Sequence, residues 1–346
     1  MLMADMSAND DDALPLSSLR GRVSLQTYKW LQEAEVKDEE WKVQQQAEAA
    51  GASLFDHPLS HEEEETYLRV QEWCSNTKKV DGNGGYCDSD EKDQIEDGSL
   101  NIKYILSESA GGHGDDLWAA SRHISNLFAQ KEKCRELLSP LLVGDGNDTQ
   151  DHPLLGLHFI ELGAGAGLPS WTAMKCGAMV VSTDQPIANR IRCMAESVER
   201  NAADMALSDH LENKPALKFA SKARVCPYTW GSSIEEFSEV VDASKEDEDC
   251  MFDVAVAADC IYMPQFHNVL LDSIKMLLSE KGVALLPFAL HSNVEDDKVW
   301  GIIDLAREKG FHVESLEPQQ LCPQALHMDS KRALIHTLRL TKRITR

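Results

Sequence analysis

From residue 157 onward, short apolar runs and amphipathic runs alternate along the chain. The Val/Ile/Leu-rich runs at 157–162, 178–183, 222–229, 252–258, 282–290, 311–317 and 332–341 predict seven strands. Segments of helical spacing at 168–177, 187–203, 265–279 and 295–309 fall between them. Strands of this apolar character, alternating with helices, predict a doubly wound α/β sheet, largely parallel and covered on both faces. The last two strands are separated only by a loop, 318–330, so an antiparallel hairpin is expected at the sheet's end, with the last strand antiparallel.

The pattern is weaker towards the N-terminus. Residues 100–106 alternate as a strand, and 116–131 place Leu117, Trp118, Ile124, Leu127 and Phe128 on helical positions. A polar loop follows at 144–153. Residues 1–19 read as disordered. Helix formers run from 25 to 50, and Tyr67, Leu68, Val70 and Trp73 suggest a second helix over 61–74. The stretch 81–98 is rich in Gly, Asp and Glu and reads as a solvated loop. It fails the calcium-loop spacing, which needs a glycine at the sixth position and a glutamate at the twelfth. The expected organisation is therefore an acidic, partly disordered and helical extension over 1–99 and an α/β domain over 100–346.

Charge narrows the partners. The formal net charge is −24, and the first hundred residues hold 23 acidic against 9 basic side chains. That balance argues against duplex nucleic acid or an anionic membrane and suits a basic protein partner. No apolar run approaches the roughly 18 residues that cross a bilayer. Met1 to Asp12 lacks the basic and apolar regions of a secretory signal and the arginines of a transit peptide. Nine cysteines with no C-x-x-C pair suggest reduced thiols, no zinc site and a cytoplasmic protein, expected as a monomer. His57 and His61 stand four apart with no further metal ligand nearby, so a surface position is expected for them.

The chemistry concentrates in Glu161-Leu162-Gly163-Ala164-Gly165-Ala166-Gly167-Leu168-Pro169, where an apolar strand gives way to a glycine turn and a helix start. Glycines there let backbone N–H groups approach a ligand. The dinucleotide fingerprint G-x-G-x-x-G would need its third glycine at Leu168. The spacing found, G-x-G-x-G behind an acidic residue, favours S-adenosylmethionine. Asp184 ends the next strand, about 20 residues on, where a carboxylate can take ribose hydroxyls; its alternative is a helix N-cap.

Ligands of such sheets bind beyond the strands' carboxyl ends. The fourth strand ends in Ala258-Asp259-Cys260-Ile261-Tyr262, a carboxylate and a phenol three residues apart. The carboxylate can accept hydrogen bonds from an amine, and the ring can flank a cation; capping and packing are the alternatives. Cys260 has no basic neighbour in sequence to activate it as a nucleophile. The third strand ends in Thr229-Trp230-Gly231, whose indole can stack on adenine or fill the core.

Together with Leu117-Trp118-Ala119-Ala120-Ser121-Arg122 and Asp184-Gln185-Pro186, these motifs resemble family 16 of the seven-strand methyltransferases over roughly residues 100–341. Within it the chain looks most like the nicotinamide N-methyltransferase-like group that methylates the N-terminus and lysines of elongation factor 1-alpha. The resemblance implies a Rossmann-like seven-stranded methyltransferase sheet. It implies a cofactor pocket lined by Trp118, Gly163, Ala164, Gly165, Asp184, Trp230 and Ala258, and Asp259 and Tyr262 as a D-x-x-Y motif that places the target amine. Asp-Gln-Pro where Asp-Tyr-Pro is usual, Ala258 where Ser is common, and the long acidic N-terminal region depart from that group and bear on the substrate. The expected activity is protein N-methylation of a lysine or an N-terminal amine. A small-molecule methyltransferase and a non-catalytic cofactor-binding scaffold are the alternatives.

Overall fold

The computed structural model describes residues 13–37, 70–75, 100–107, 117–142, 152–209, 220–233, 252–292, 294–320 and 332–343. At its centre lies a sheet built from β3 (His158–Leu162), β4 (Met179–Asp184), β5 (Arg224–Pro227), β6 (Phe252–Val256), β7 (Leu278–Ala289), β8 (Phe311–Ser315) and β10 (Leu334–Lys342), with the short β9 (Gln319–Gln320) paired to β10. The order is β5-β4-β3-β6-β7-β10-β8. β5 through β7 run parallel, while β10 lies antiparallel to both β7 and β8. All seven strands expected from sequence are present. The antiparallel pair of β8 and β10 lies at the sheet's end as expected, with β10 inside and β8 at the edge.

Each central strand sends alternate residues to opposite cores, as a period of two requires. Phe159, Val180, Val254 and Leu285 face one core, and Ile160, Val181, Ala255 and Leu286 face the other. The first core is covered by α2 (Ala119–Ala129), α3 (Lys131–Leu137), α4 (Leu168–Lys175) and α5 (Ala188–Asp209). The second is covered by α6 (His267–Leu277), α7 (Asp296–Trp300) and α8 (Ile302–Glu308). The helix expected over 295–309 is thus split at Gly301.

Two N-terminal expectations are corrected. Residues 16–19, read as disordered, open a 3₁₀ turn, Leu16–Gly21, whose Leu16 and Leu19 are buried in the first core. The turn leads into a helix over residues 25–37, α1. Arg22 anchors this segment: its carbonyl accepts from Val225 N–H at the β5 edge (2.7 Å), and its guanidinium meets Glu199 and the Ala220 carbonyl. Such long-range partners are invisible to local composition.

The second correction concerns 61–74. Val70–Cys74 is a strand, β1, paired antiparallel with β2 (Asn101–Ile105); residues 61–69 lie outside the described set. Val70 and Trp73 stand at helical spacing, but the pairing with β2 and the contact of Tyr104 Oη with Gln71 decide the conformation. The other edge of β2 is satisfied by side chains of α5. Asn201 accepts from Lys103 N–H and donates to its carbonyl, and Ser197 accepts from Ile105 N–H. The expected loop at 81–98 and the histidines His57 and His61 lie outside the described residues.

Leu19 is fully buried, so Leu19→Ala should destabilise the whole chain by about 2–5 kcal/mol in urea unfolding. An unchanged midpoint would show that residues 13–37 fold apart from the sheet.

Candidate active site

β3 and β6 lie side by side, and the connections leaving them diverge, so their carboxyl ends splay around a crevice. A cavity of 740 Å³ opens there, within the range of small-molecule sites. Trp118, Gly163, Ala164, Gly165, Asp184, Trp230, Ala258, Asp259 and Tyr262 all line it. The topology therefore brings together every site residue expected from sequence.

The glycine turn is shaped by its neighbours. Gly163 has φ +70°, and a Cβ placed on it would stand 2.9 Å from Cys260 Sγ and 3.1 Å from the Trp230 ring. Gly167 has φ +72°, and a Cβ there would meet the Trp171 ring at 2.5 Å. Only glycine satisfies both demands. Trp171 then locks the turn by donating from Nε1 to the Ala166 carbonyl (2.8 Å).

Asp184 ties three elements together. Its Oδ2 accepts from Gly165 N–H (2.7 Å), and its Oδ1 accepts from Gln185 N–H (2.7 Å) and from Arg190 on α5 (2.9 Å). It does not serve simply as a helix cap. A carboxylate offers about four acceptor positions, so three are used within the chain. The open position is on Oδ2 beside the Gly165 N–H, so a ribose hydroxyl can share that oxygen, whereas one on Oδ1 would have to displace the Gln185 N–H or Arg190. Arg190, also in the cavity wall, was missed from sequence because its role depends on the turn of α5 that returns it to Asp184.

Asp259 does not cap a helix either. The next regular element starts at Pro264, and the loop between is held by His267 Nε2 against the Ile261 carbonyl (2.7 Å). Asp259 is buried at φ +54°, a left-handed conformation that Asp tolerates better than most residues. Its N–H donates to the Pro287 carbonyl, and its Oδ1 lies 3.2 Å from Ala289 N and 3.1 Å from His291 Nε2. The His291 ring in turn meets the edges or faces of Trp118 (centroids 5.4 Å apart) and Tyr262 (5.6 Å). His291 was also missed. It stands two residues past β7, where the strand-end rule that selected Asp259 would have found it.

Other ionisable groups sort by burial. The Tyr262 phenol is pushed up to about 12, first by burial and then by Cys260 and Asp259, so it stays neutral near pH 7. Burial, with Asp184, Asp259 and Glu161 nearby, raises the Cys260 thiol well above its ordinary range, consistent with no nucleophilic role. Glu161, behind the glycine turn, is pushed up to about 8 by burial, opposed by hydrogen bonds from Ser170. Its Oε1 has no partner among the described residues. Among these residues no group of three or more His, Cys, Asp or Glu could hold a metal, and no helix is long and apolar enough to cross a membrane.

A family model described as "Lysine methyltransferase" matches residues 95–300. "Protein N-terminal and lysine N-methyltransferase efm7" of Schizosaccharomyces pombe is 32% identical over 169 residues, covering 47% of this chain and 58% of that protein. "Protein N-lysine methyltransferase METTL21A" of Mus musculus is 32% identical over 133 residues, covering 38% and 50%. The chain thus spans about half the length of these relatives. Among solved structures, magnesium protoporphyrin IX methyltransferase (ChlM) from Synechocystis covers 66% of this chain and 87% of its own, at TM-score 0.34 and 13% identity, too loose a likeness to argue from.

Two outcomes test this geometry. Gly163→Ala should weaken S-adenosylmethionine binding at least about tenfold in calorimetry, because its Cβ pushes on Cys260 and Trp230; unchanged affinity would separate the turn from the ligand. Glu161 holds a proton in the folded state that the unfolded chain releases above its ordinary pKa of 4.5. Stability should therefore fall as pH rises from about 5 to about 8, with a limiting slope of about 1.4 kcal/mol per pH unit. Glu161→Gln should flatten that slope in urea unfolding across the window; parallel curves would contradict the assignment.

Proposed function

The chain belongs to the lysine methyltransferase family, and from that premise we propose that it methylates amines of a protein substrate, a lysine side chain or an N-terminal α-amine. The observation that carries this reading is the placement of Asp259, buried and tethered, in the same cavity as the glycine turn. S-adenosylmethionine is the family's cofactor, and when bound it supplies an activated methyl group on a sulfonium. The residues present suit it: a glycine backbone with no room for a side chain at Gly163, an indole at Trp230, a strand-tip carboxylate at Asp184, and Ala258 and Trp118 closing the walls.

The remaining chemistry falls to the chain's own side chains. Holding an amine in line with the methyl group is worth up to roughly 7–11 kcal/mol in well-oriented cases. The amine must also be neutral. For a free lysine at pH 7 that costs about 4.6 kcal/mol, and for an α-amine only about 1 kcal/mol. A carboxylate beside the amine favours its charged form and works against deprotonation. Asp259 is therefore assigned to capture and orientation, with the proton leaving to another acceptor. Tyr262, neutral near pH 7, offers a ring beside the cationic nitrogen and a hydroxyl that can donate or accept. The excess of acidic over basic residues, 58 to 34, favours a basic protein partner through long-range attraction.

The test uses labelled S-adenosylmethionine, the full chain and a lysate of its source organism, with products separated by gel and mass spectrometry. One dominant labelled protein is expected, reduced about 100-fold or more by Asp259→Ala while cofactor affinity stays within a few-fold. Label confined to small molecules would replace this reading with a small-molecule methyltransferase. No transfer to either fraction, with the cofactor bound, would favour the scaffold.

A further inference from the structure

We propose that His291 is the positioning residue for Asp259: its imidazole, donating from Nε2, fixes the carboxylate so that its Oδ2 is presented to the substrate amine. The proposal rests on the reading of Asp259 as the amine-capturing group and adds a residue to it. The separation of 3.1 Å between His291 Nε2 and Asp259 Oδ1 is hydrogen-bonding distance. Ala289 N–H lies 3.2 Å from the same oxygen. Ala289 is the last residue of β7 and His291 follows two residues later, so the end of one strand determines where a side chain of the neighbouring loop points.

The ring meets two aromatic neighbours. Trp118 stands nearly perpendicular to it at 82°, and Tyr262 lies at 65°. These contacts fix the imidazole's plane, and through it the direction of the Nε2 donor. They also link three separately placed residues, one before α2, one in the loop after β6 and one after β7, into a single wall beside Asp259. An ionised carboxylate only accepts hydrogen bonds, so the pairing requires the proton on Nε2. With Oδ1 occupied by two donors, an amine hydrogen is directed to Oδ2. Asp259 sits at φ +54°, where few alternative backbone arrangements exist, so its remaining freedom lies in the side-chain torsions that His291 restrains.

Hydrogen bonding and ring packing are separable by substitution. His291→Gln keeps an N–H donor near the Nε2 position without the ring, and His291→Phe keeps the ring without the donor. For the full chain and the protein labelled from lysate, kcat should fall about 10- to 100-fold in His291→Ala and His291→Phe. His291→Gln should recover most of that loss. Affinity for S-adenosylmethionine should remain within about threefold throughout, since His291 acts on the amine side of the cavity. Recovery by Phe and not by Gln would overturn the proposal in favour of packing alone.

A second readout does not depend on turnover. In nitrogen-15 spectra of histidine-labelled protein, His291 should show a protonated Nε2. Its Nε2 resonance should move in Asp259→Asn. A bare Nε2 in the wild-type chain, or a resonance indifferent to Asp259→Asn, would overturn the proposal even if no methylated protein is found. A chain that transfers no methyl group yet shows the coupled Nε2 would leave the pairing standing and remove only the function assigned to Asp259.

Discussion

The site depends on how closely two adjacent strand ends can approach. β3 and β6 share the middle of the sheet, and the chain leaves each in a different direction. At their tips Cys260 Sγ lies against the Leu162 carbonyl (3.3 Å), leaving no room for a side chain on Gly163. Gly163 adopts a left-handed backbone there, with the Trp230 ring also within reach of its missing Cβ. A larger residue there would push the loops apart and change the cavity's floor. Asp184 reinforces the arrangement by clasping Gly165 from β4 while held by Arg190 from α5. The same polar groups that would meet a ligand also keep the turn closed around its place.

Much of this was legible in the sequence because it is local. Apolar runs of strand length separated by amphipathic segments gave all seven strands. The glycine spacing and the strand ends pointed to Gly163, Gly165, Asp184, Trp230, Asp259 and Tyr262, while Trp118 and Ala258 came only from the family resemblance; all of them line the cavity. What escaped is the part that depends on distant partners. Val70 and Trp73 carry a helical spacing, yet the strand opposite them supplies the backbone partners that make β1. Leu16 and Leu19 lie in a start read as disordered, but α5 and the edge of β5 give them a core to enter. β10 enters between β7 and β8, a choice of neighbour that periodicity cannot express.

His291 and Arg190 escaped for a related reason. Neither lies in a motif, and each acquires its significance only from the carboxylate it meets, Asp259 or Asp184. Asp184, Arg190 and Asp259 line one cavity, and His291 meets Asp259; in the proposed reading Arg190 belongs to the cofactor end and His291 to the amine end. Separating a charge that binds cofactor from one that receives substrate lets each be tuned by its own partner.

A crystal structure of the full chain with S-adenosylhomocysteine would test the central claim most directly. The expected result is one ligand in the crevice between β3 and β6, its ribose hydroxyls on Asp184 and its sulfur facing the wall formed by Asp259, Tyr262 and His291. A ligand bound elsewhere, or one in the crevice with its sulfur turned away from Asp259, would contradict it.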